Sequence, residues 1–316
     1  MGFIDILNRL IPAFADAASL ALVTLGIVLI FRTSFTTNFA QGMISSSAAY
    51  VTTIFYNNYL LQNNPEGNVF IMTLISFIAG ISVGFLLGIF IDTMIIRKSK
   101  FTTILTKQMI TMGVVLFLMG LLPTLFFNAE LNMPSIPYFF KGVSIVAVGD
   151  RNMIIQHNHI YSIVVSTIVI SIIFIALKYT KWGLGVRSTA ANEKVAGMMG
   201  VNTKFITAMS WGIASALGSL GALMYATNQT VSSYMMTEMQ VNGFLAAILG
   251  GFSTFFGPIV GAILIPLMNT ISFMISYQIG DGSLGVYYKI FVYIIILIVI
   301  LIKPIGLFGK KIAKKV

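Results

Sequence analysis

The chain reads as a series of apolar runs separated by short polar joints. The clearest runs cover 13–31, 69–91, 108–127, 160–177, 205–227 and 284–302. Each holds about 18 or more residues with almost no charge, and at ~1.5 Å of helical rise per residue that is enough to cross ~30 Å of hydrocarbon. The pattern predicts an all-α polytopic membrane protein, one transmembrane domain over 1–316 with about eight crossings.

Two regions depart from that pattern. Residues 33–61, "TSFTTNFAQGMISSSAAYVTTIFYNNYLL", carry a Thr/Asn/Gln/Ser cluster from Thr33 to Ser47. In hydrocarbon such groups need partners, so this segment is expected to face the bundle interior or a solvated path. Residues 241–277 are too long for one crossing and are interrupted by Gly250, Gly251, Gly257, Pro258 and Gly261. Proline removes a backbone donor, and glycine favours non-helical conformations. Discontinuous or re-entrant helices are therefore expected near 33–48 and 247–261, since irregular backbone at membrane depth survives only under protein cover or beside a water-filled cavity. For 241–277, two plain helices joined by a loop outside the membrane are the alternative.

Composition and charge fix the class and the topology. The chain is 57% hydrophobic and 9% charged, against roughly 25% charged residues in soluble domains. Of 19 Lys and Arg, 14 fall in three segments. These are 97–107 (Arg97, Lys98, Lys100, Lys107), 178–204 (Lys178, Lys181, Arg187, Lys194, Lys204) and 303–315 (Lys303, Lys310, Lys311, Lys314, Lys315). Each abuts an apolar run, as cytoplasmic loops do under the positive-inside rule. The net charge of +10 thus follows topology and implies no nucleic-acid partner. Residues 178–204 are expected to be a cytoplasmic loop and 128–159 an external one. Two helical pieces in 241–277 keep the second and third basic segments on one side. The start, "MGFIDILNRLIPAFADAA", has no basic n-region, so no cleavable leader is expected. Arg9 and Arg32 are too few to orient the amino terminus.

Candidate chemistry is sparse. Cysteine is absent, which excludes disulfides and thiolate metal sites. No G-x-x-x-x-G-K-[ST] occurs, so ATP is not bound through a Walker loop. "WGLGVRS" (182–188) has a Gly-x-Gly but no βαβ context. His157 and His159 have no third ligand nearby and fit a polar outer loop. Only nine acids exist, and Asp16 and Asp92 fall close to run ends. Ion-coupled carriers place ionisable groups at membrane depth, so the energy source is expected outside this chain, although sodium sites built from carbonyls and hydroxyls remain compatible.

One polar joint has a pattern of its own. In "TAANEKVAGMMGVNTKF" (189–205), Thr189 is a candidate N-cap and Gly200 a candidate left-handed stop. Between them Ala191, Val195, Met198 and Met199 recur on one helical face. The helix is too short to span. Its small residues Ala190, Ala191, Ala196 and Gly197 suit close approach by a protein surface, while an inert interfacial helix is the alternative. In 205–227, Gly212 with Ala216, Ala214 with Gly218, and Gly218 with Ala222 follow small-residue helix packing, read as generic.

These residues resemble a family. "GVRSTAANEKVAGMMGVNTKFI" resembles the cytoplasmic loop of permease subunits from ABC importers of the branched-chain amino acid type, which runs roughly G-x-x-x-R-A-x-A-x-x-x-x-x-A-x-x-x-G-I-N. Arg187, Ala191, Ala196, Gly200, Val201 and Asn202 supply that pattern, with Ser188 in place of its Ala. "FRTSFTTNFAQG" (31–42), "AAILGGFSTFFGPIVGAIL" (246–264) and "KPIGLFGKK" (303–311) are similar to three further motifs of these permeases, in the same order. The short amino-terminal lead-in looks like the H-type rather than the M-type, and 128–159 matches no motif.

The resemblance implies the membrane half of an ATP-driven importer in a bacterial cytoplasmic membrane. It would pair with a second, M-type permease, two ATPases and an external substrate-binding protein. It would hold no cofactor itself, ATP and Mg being bound by the ATPases. Residues 189–199 would be the coupling helix, with Arg187, Ala191, Glu193, Ala196, Gly200 and Asn202 at the ATPase contact. Asn38, Gln41, Gly42, Gly250, Gly251, Gly257 and Pro258 would line the solute path, or, for Asn38 and Gln41, join helices away from it. The solute stays open between branched-chain amino acids and urea or short amides. A stand-alone secondary transporter or channel, or a non-transport scaffold, are the alternatives.

Overall fold

A computed structural model describes residues 3–99, 103–126, 139, 142–148, 151–227, 230–232, 234–279 and 287–309. Lys100, the lysines after 309 and most of 127–142 lie outside the described residues. The fold is helical almost throughout, as the apolar runs predict. Among the described residues, six helices are long and apolar enough to cross a membrane: Ile4–Ser34, Val69–Ile96, Ile104–Leu125, His157–Tyr179, Thr203–Ala226 and Phe256–Ser276. Five cover the runs predicted from 13 to 227. The sixth comes from 241–277, and the last run yields a shorter apolar helix, Lys289–Ile302.

Helix α1 (Phe3–Ser34) is the axis of the bundle. Its residues Leu20 to Ile30 are almost all fully buried. It packs most extensively on α8 (Thr203–Ala226). The most apolar window of each of these two helices is 78% buried, against 17% in α4 (Ile104–Leu125) and α5 (His157–Tyr179). The peripheral helices therefore present their apolar faces to lipid or to another subunit, since hydrocarbon, unlike water, is as apolar as those faces.

Helix α2 (Gln41–Ile54) continues through a π-helical stretch (Phe55–Leu60) to Asn63. It starts deep in the bundle, because Gln41 bonds Ala214, about halfway along α8. Non-helical residues 36–38 and the turn at Phe39 and Ala40 thus lie at membrane depth, held by α4 through Gln108 and Thr111, by α8, and by α9 (Met235–Gly250) through Gln240. A helix break was expected in this region from its polar cluster.

Helix α3 (Val69–Phe90) ends in a π-helical turn (Ile91–Ile96). There Arg97 pairs with Asp92 and also donates to the Lys204 carbonyl, which ties the foot of α3 to the start of α8. The break in 241–277 falls at residues 251–255, between α9 and α10 (Phe256–Ile279). Helix α11 (Tyr288–Ile302) closes the bundle. With α9 and α10 running in opposite directions, Lys303, at the described start of the third basic segment, lies at the same end as the second segment, as parity requires.

The opposite end carries a β-hairpin that the sequence pattern did not predict. Strands β1 (Val143–Val148) and β2 (Arg151–Gln156) pair antiparallel with Ile145 opposite Ile154. The Asn8 side chain of α1 bonds this hairpin twice, donating to the Asn152 carbonyl at 3.1 Å and accepting from the Ile154 amide at 2.9 Å. The amino-terminal end of α1 therefore lies with the hairpin, away from the basic loops, and under the positive-inside rule that end faces outward. His157 and His159 sit in the first turn of α5 rather than in a loop, with His157 Nε2 2.7 Å from Ser144 Oγ.

Candidate functional site

The residues expected along the path fall into two groups. Asn38, Gln41 and Gly42 form the first, at the start of α2, and none exposes more than a trace of surface. Asn38 Oδ1 accepts from the Ala40 amide at 3.0 Å, and its Nδ2 donates to Gln41 Oε1 at 3.2 Å. Gln41 Nε2 then donates to the Ala214 carbonyl of α8 at 2.7 Å. The Gly42 amide donates to Gln240 Oε1 of α9 at 2.6 Å, while Gln240 Nε2 donates to the Phe39 carbonyl.

Every amide in this cluster is committed to another helix or to the break itself. Glycine is required where the helices meet. A Cβ at Gly218 would overlap the Gln41 amide, and one at Gly42 would overlap Gln240. The small-residue spacing in α8, read as generic packing, makes room for this bond. Gln240 and Gly218 had no separate signal in the sequence because their partner lies roughly two hundred positions away.

Gly250, Gly251, Gly257 and Pro258 form the second group, ten residues further along α9, or about 15 Å of helix. The backbones of Gly250 and Gly257 touch so closely that a Cβ on either would enter the other's carbonyl group. Gly251 adopts φ +96, a region closed to most side chains. Pro258 stands in the first turn of α10, where its missing N–H removes no helical bond. The carboxy-terminal strap covers this turn: the Leu307 amide donates to the Leu249 carbonyl at 2.7 Å and the Phe308 amide to that of Gly250 at 3.1 Å. Arg32 of α1 donates to the Ser253 carbonyl and lies 4.8 Å from the Phe255 ring centroid.

At the basic end, the 178–204 loop folds as two short helices. Helix α6 (Lys181–Ala191) carries Thr189 buried in its last turn, so Thr189 is not an N-cap. Asn192 breaks the helix instead, with an extended backbone, and its Oδ1 caps α7 (Glu193–Met198) by accepting from the Val195 amide at 3.2 Å. The prediction missed this because Asn and Thr are both good caps and the break costs only one turn. Gly200, at φ +85, ends α7. The Gly200 amide donates to the Gly197 carbonyl and the Val201 amide to that of Ala196, the paired bonds of a Schellman stop. Asn202 then caps α8 through the Phe205 amide at 3.1 Å.

Ala196 is buried against the bundle, whereas Arg187, Ala191, Glu193, Gly200 and Asn202 are exposed. Val195, Met198 and Met199 are 46%, 79% and 80% exposed, which makes an apolar tip on a surface turned away from the bundle.

A cavity of about 550 Å³ opens near the hairpin end between α1, α9, α10 and α11. Asp16, Glu238, Arg9, Lys289, Asn242 and Asn269 are among its walls. Asp16, expected near a run end, lies well inside α1. Asp92, also on a span, is 2% exposed and paired with Arg97. No group of three or more His, Cys, Asp or Glu able to hold a metal occurs among the described residues.

The family described as "Branched-chain amino acid transport system / permease component" matches residues 10–301. The chain belongs to this family. The permease is 20% identical to the high-affinity branched-chain amino acid transport system permease protein LivH of Escherichia coli (strain K12), over 99% of each chain. It is 22% identical to BraD, a permease protein of the same description from Pseudomonas aeruginosa, over 98% of each. A probable LivH of Methanocaldococcus jannaschii is 23% identical over 92% of this permease and 88% of its own length. The four motifs that carried the resemblance lie within or beside the matched span.

Proposed function

We propose that this chain is the transmembrane permease subunit of an ATP-driven importer for branched-chain amino acids or similar small solutes. It works in a bacterial cytoplasmic membrane, paired with an M-type permease, served by an external binding protein and driven by two ATPases that hold the ATP and Mg. The observation that carries this reading is α7. It is a capped, glycine-stopped helix standing clear of the bundle at the basic end, anchored through Ala196 and presenting Val195, Met198 and Met199 outward. An exposed apolar tip beside cytoplasmic water is costly unless a partner covers it, and methionine adapts well to a partner groove.

Mechanistically the chain is a two-state element rather than a catalyst. ATP-driven closure of the partners moves α7, and with it α6 and the start of α8, which Asn202 caps and the Arg97 bridge joins to α3. The amide cluster at Asn38, Gln41 and Gln240 is then the joint at which α2 and α9 shift against α8 and open a path. Two-state rearrangement of packed helices is the usual route by which a small displacement is amplified.

Proteoliposomes holding the co-purified assembly test the reading. Labelled L-leucine is expected to accumulate only with ATP, the binding protein and the ATPases present. Uptake at the same rate by this chain alone would leave the secondary-transporter alternative standing.

A further inference from the structure

Helix α3 changes register at its foot. Above the foot it is held tightly: a Cβ at Gly80 would overlap Thr52 of α2, and one at Gly84 or Gly88 would overlap Ser219 or Ser215 of α8. An unbroken α-helix of ~3.6 residues per turn would then place Ile91 and Ile95 on the same face as Gly88. The structure buries Ile91 and Ile96 instead, at 2% and 6% exposed, while Ile95 is only half-buried. The shift is made by the π-helical turn Ile91–Ile96, below which the Arg97 amide reaches back five residues to the Asp92 carbonyl at 3.0 Å. Such turns are rare and cluster at functional sites.

Two features give this turn a second state. Positions 95 and 96 are both isoleucine, so a return to α-helix would exchange one buried isoleucine for an identical one, with little change in packing. The Asp92–Arg97 ion pair, by contrast, belongs to the π form. Residues five apart project about 140° apart on an α-helix, whereas the wider π turn brings them together. The pair therefore selects the observed register. Arg97 also donates to the Lys204 carbonyl at the start of α8. Glu193 of α7 repels the Asp92 charge and Lys107 of α4 attracts it. An α7 that approaches α3 thus offers Arg97 a second carboxylate, and Lys107 remains to compensate the first.

We propose that the foot of α3 is a two-register switch, held in its π form by the Asp92–Arg97 pair and released to α-helix when α7 draws Arg97 away. Asp92 is a positioning residue here: it sets which isoleucine faces the bundle and touches no solute. The link to ATP-driven closure rests on the importer reading; the two registers do not.

Ile95→Cys and Ile96→Cys, introduced singly into this cysteine-free chain in membrane vesicles, are labelled from the basic end with a water-soluble maleimide. Residue 95 is expected to react faster than 96. Asp92→Asn or Arg97→Gln is expected to invert that order. Because a minor register is populated at about 10% or less, the Ile96→Cys rate should rise at least about tenfold. Trapping the co-purified assembly with ATP and vanadate should do the same. Deleting the exposed Met94 sets Asp92 and Arg97 four residues apart, so their pair survives on a continuous α-helix. That deletion should not lower the melting temperature, yet labelling should stop responding to vanadate and leucine uptake per ATP should fall. Labelling rates unmoved by Asp92→Asn and Arg97→Gln in chains that still melt cooperatively, or full uptake per ATP after the deletion, would overturn the proposal. Inversion by the two variants with no ATP-driven uptake would remove the importer reading and keep the switch. ATP-driven uptake with labelling rates fixed under vanadate would overturn the switch and keep the importer.

Discussion

At Gln41 and Gly42 two neighbouring amides, one side-chain and one backbone, join three elements. Gln41 Oε1 accepts from Asn38, its Nε2 donates to α8, and the next residue, Gly42, bonds Gln240 of α9. Breaking such a cluster strands buried polar groups at about 1–3 kcal/mol each. Asn38→Leu removes the acceptor for the Ala40 amide and the donor to Gln41. It is expected to lower uptake well beyond its effect on yield and thermal unfolding of the solubilised chain. Uptake and stability falling in proportion would make Asn38 a purely structural link. Gly218→Leu is expected to be more severe, because its side chain must displace the Gln41 amide and no rotamer avoids Cβ overlap. Thermal melting should show a loss of several kcal/mol, about 2–5, and an unchanged melt would contradict the close approach. The polar run from Thr33 to Ser47 made this segment conspicuous in the sequence. Its partner Gln240 was not conspicuous, since one glutamine in "MMTEMQVNG" has no periodicity that reveals what it faces.

Among the elements, the long helices follow from apolar length alone, and their ends shift only where a cap decides. The start of α4 at Ile104, before the predicted 108, follows from the Thr103 side chain capping the Thr106 amide. The β-hairpin escaped notice because two six-residue strands inside a long polar joint give a weak local signal, and its contacts to Asn8 are non-local. The division of 189–199 at Asn192 was hidden for a different reason: two competing caps lie three residues apart. For the cytoplasmic tie, Arg97→Ala leaves Asp92 buried without its cation and releases the Lys204 carbonyl. ATP hydrolysis by the partner ATPases is then expected to continue while leucine uptake per ATP falls. An unaltered ratio of uptake to hydrolysis would show that the tie plays no part in coupling. Gly250→Val is expected to prevent accumulation of folded protein, since the Gly257 backbone occupies the space its Cβ needs; normal yield on a fluorescence-detected sizing column would refute the tight α9–α10 turn.

For the whole molecule, the orientation that three basic segments suggested is completed by one contact that no pattern could supply, Asn8 against the hairpin. It sets the amino-terminal end of α1 and the hairpin outside, and α7 inside. With an impermeant maleimide on intact cells, Ile154→Cys is expected to label at once and Lys194→Cys only after permeabilisation, both positions being exposed. The reverse pattern would invert the topology. The outer cavity was equally illegible beforehand, because its walls come from residues as far apart as Asn8 and Lys289.

The most direct measurement concerns the exposed tip of α7. A photo-crosslinking amino acid placed at Met198 in the co-purified assembly is expected to capture an ATPase subunit, and Met198→Asp to abolish transport-stimulated ATP hydrolysis without loss of the inserted chain. Crosslinks to lipid alone, together with full stimulation in Met198→Asp, would contradict docking at this helix and the importer mechanism built on it.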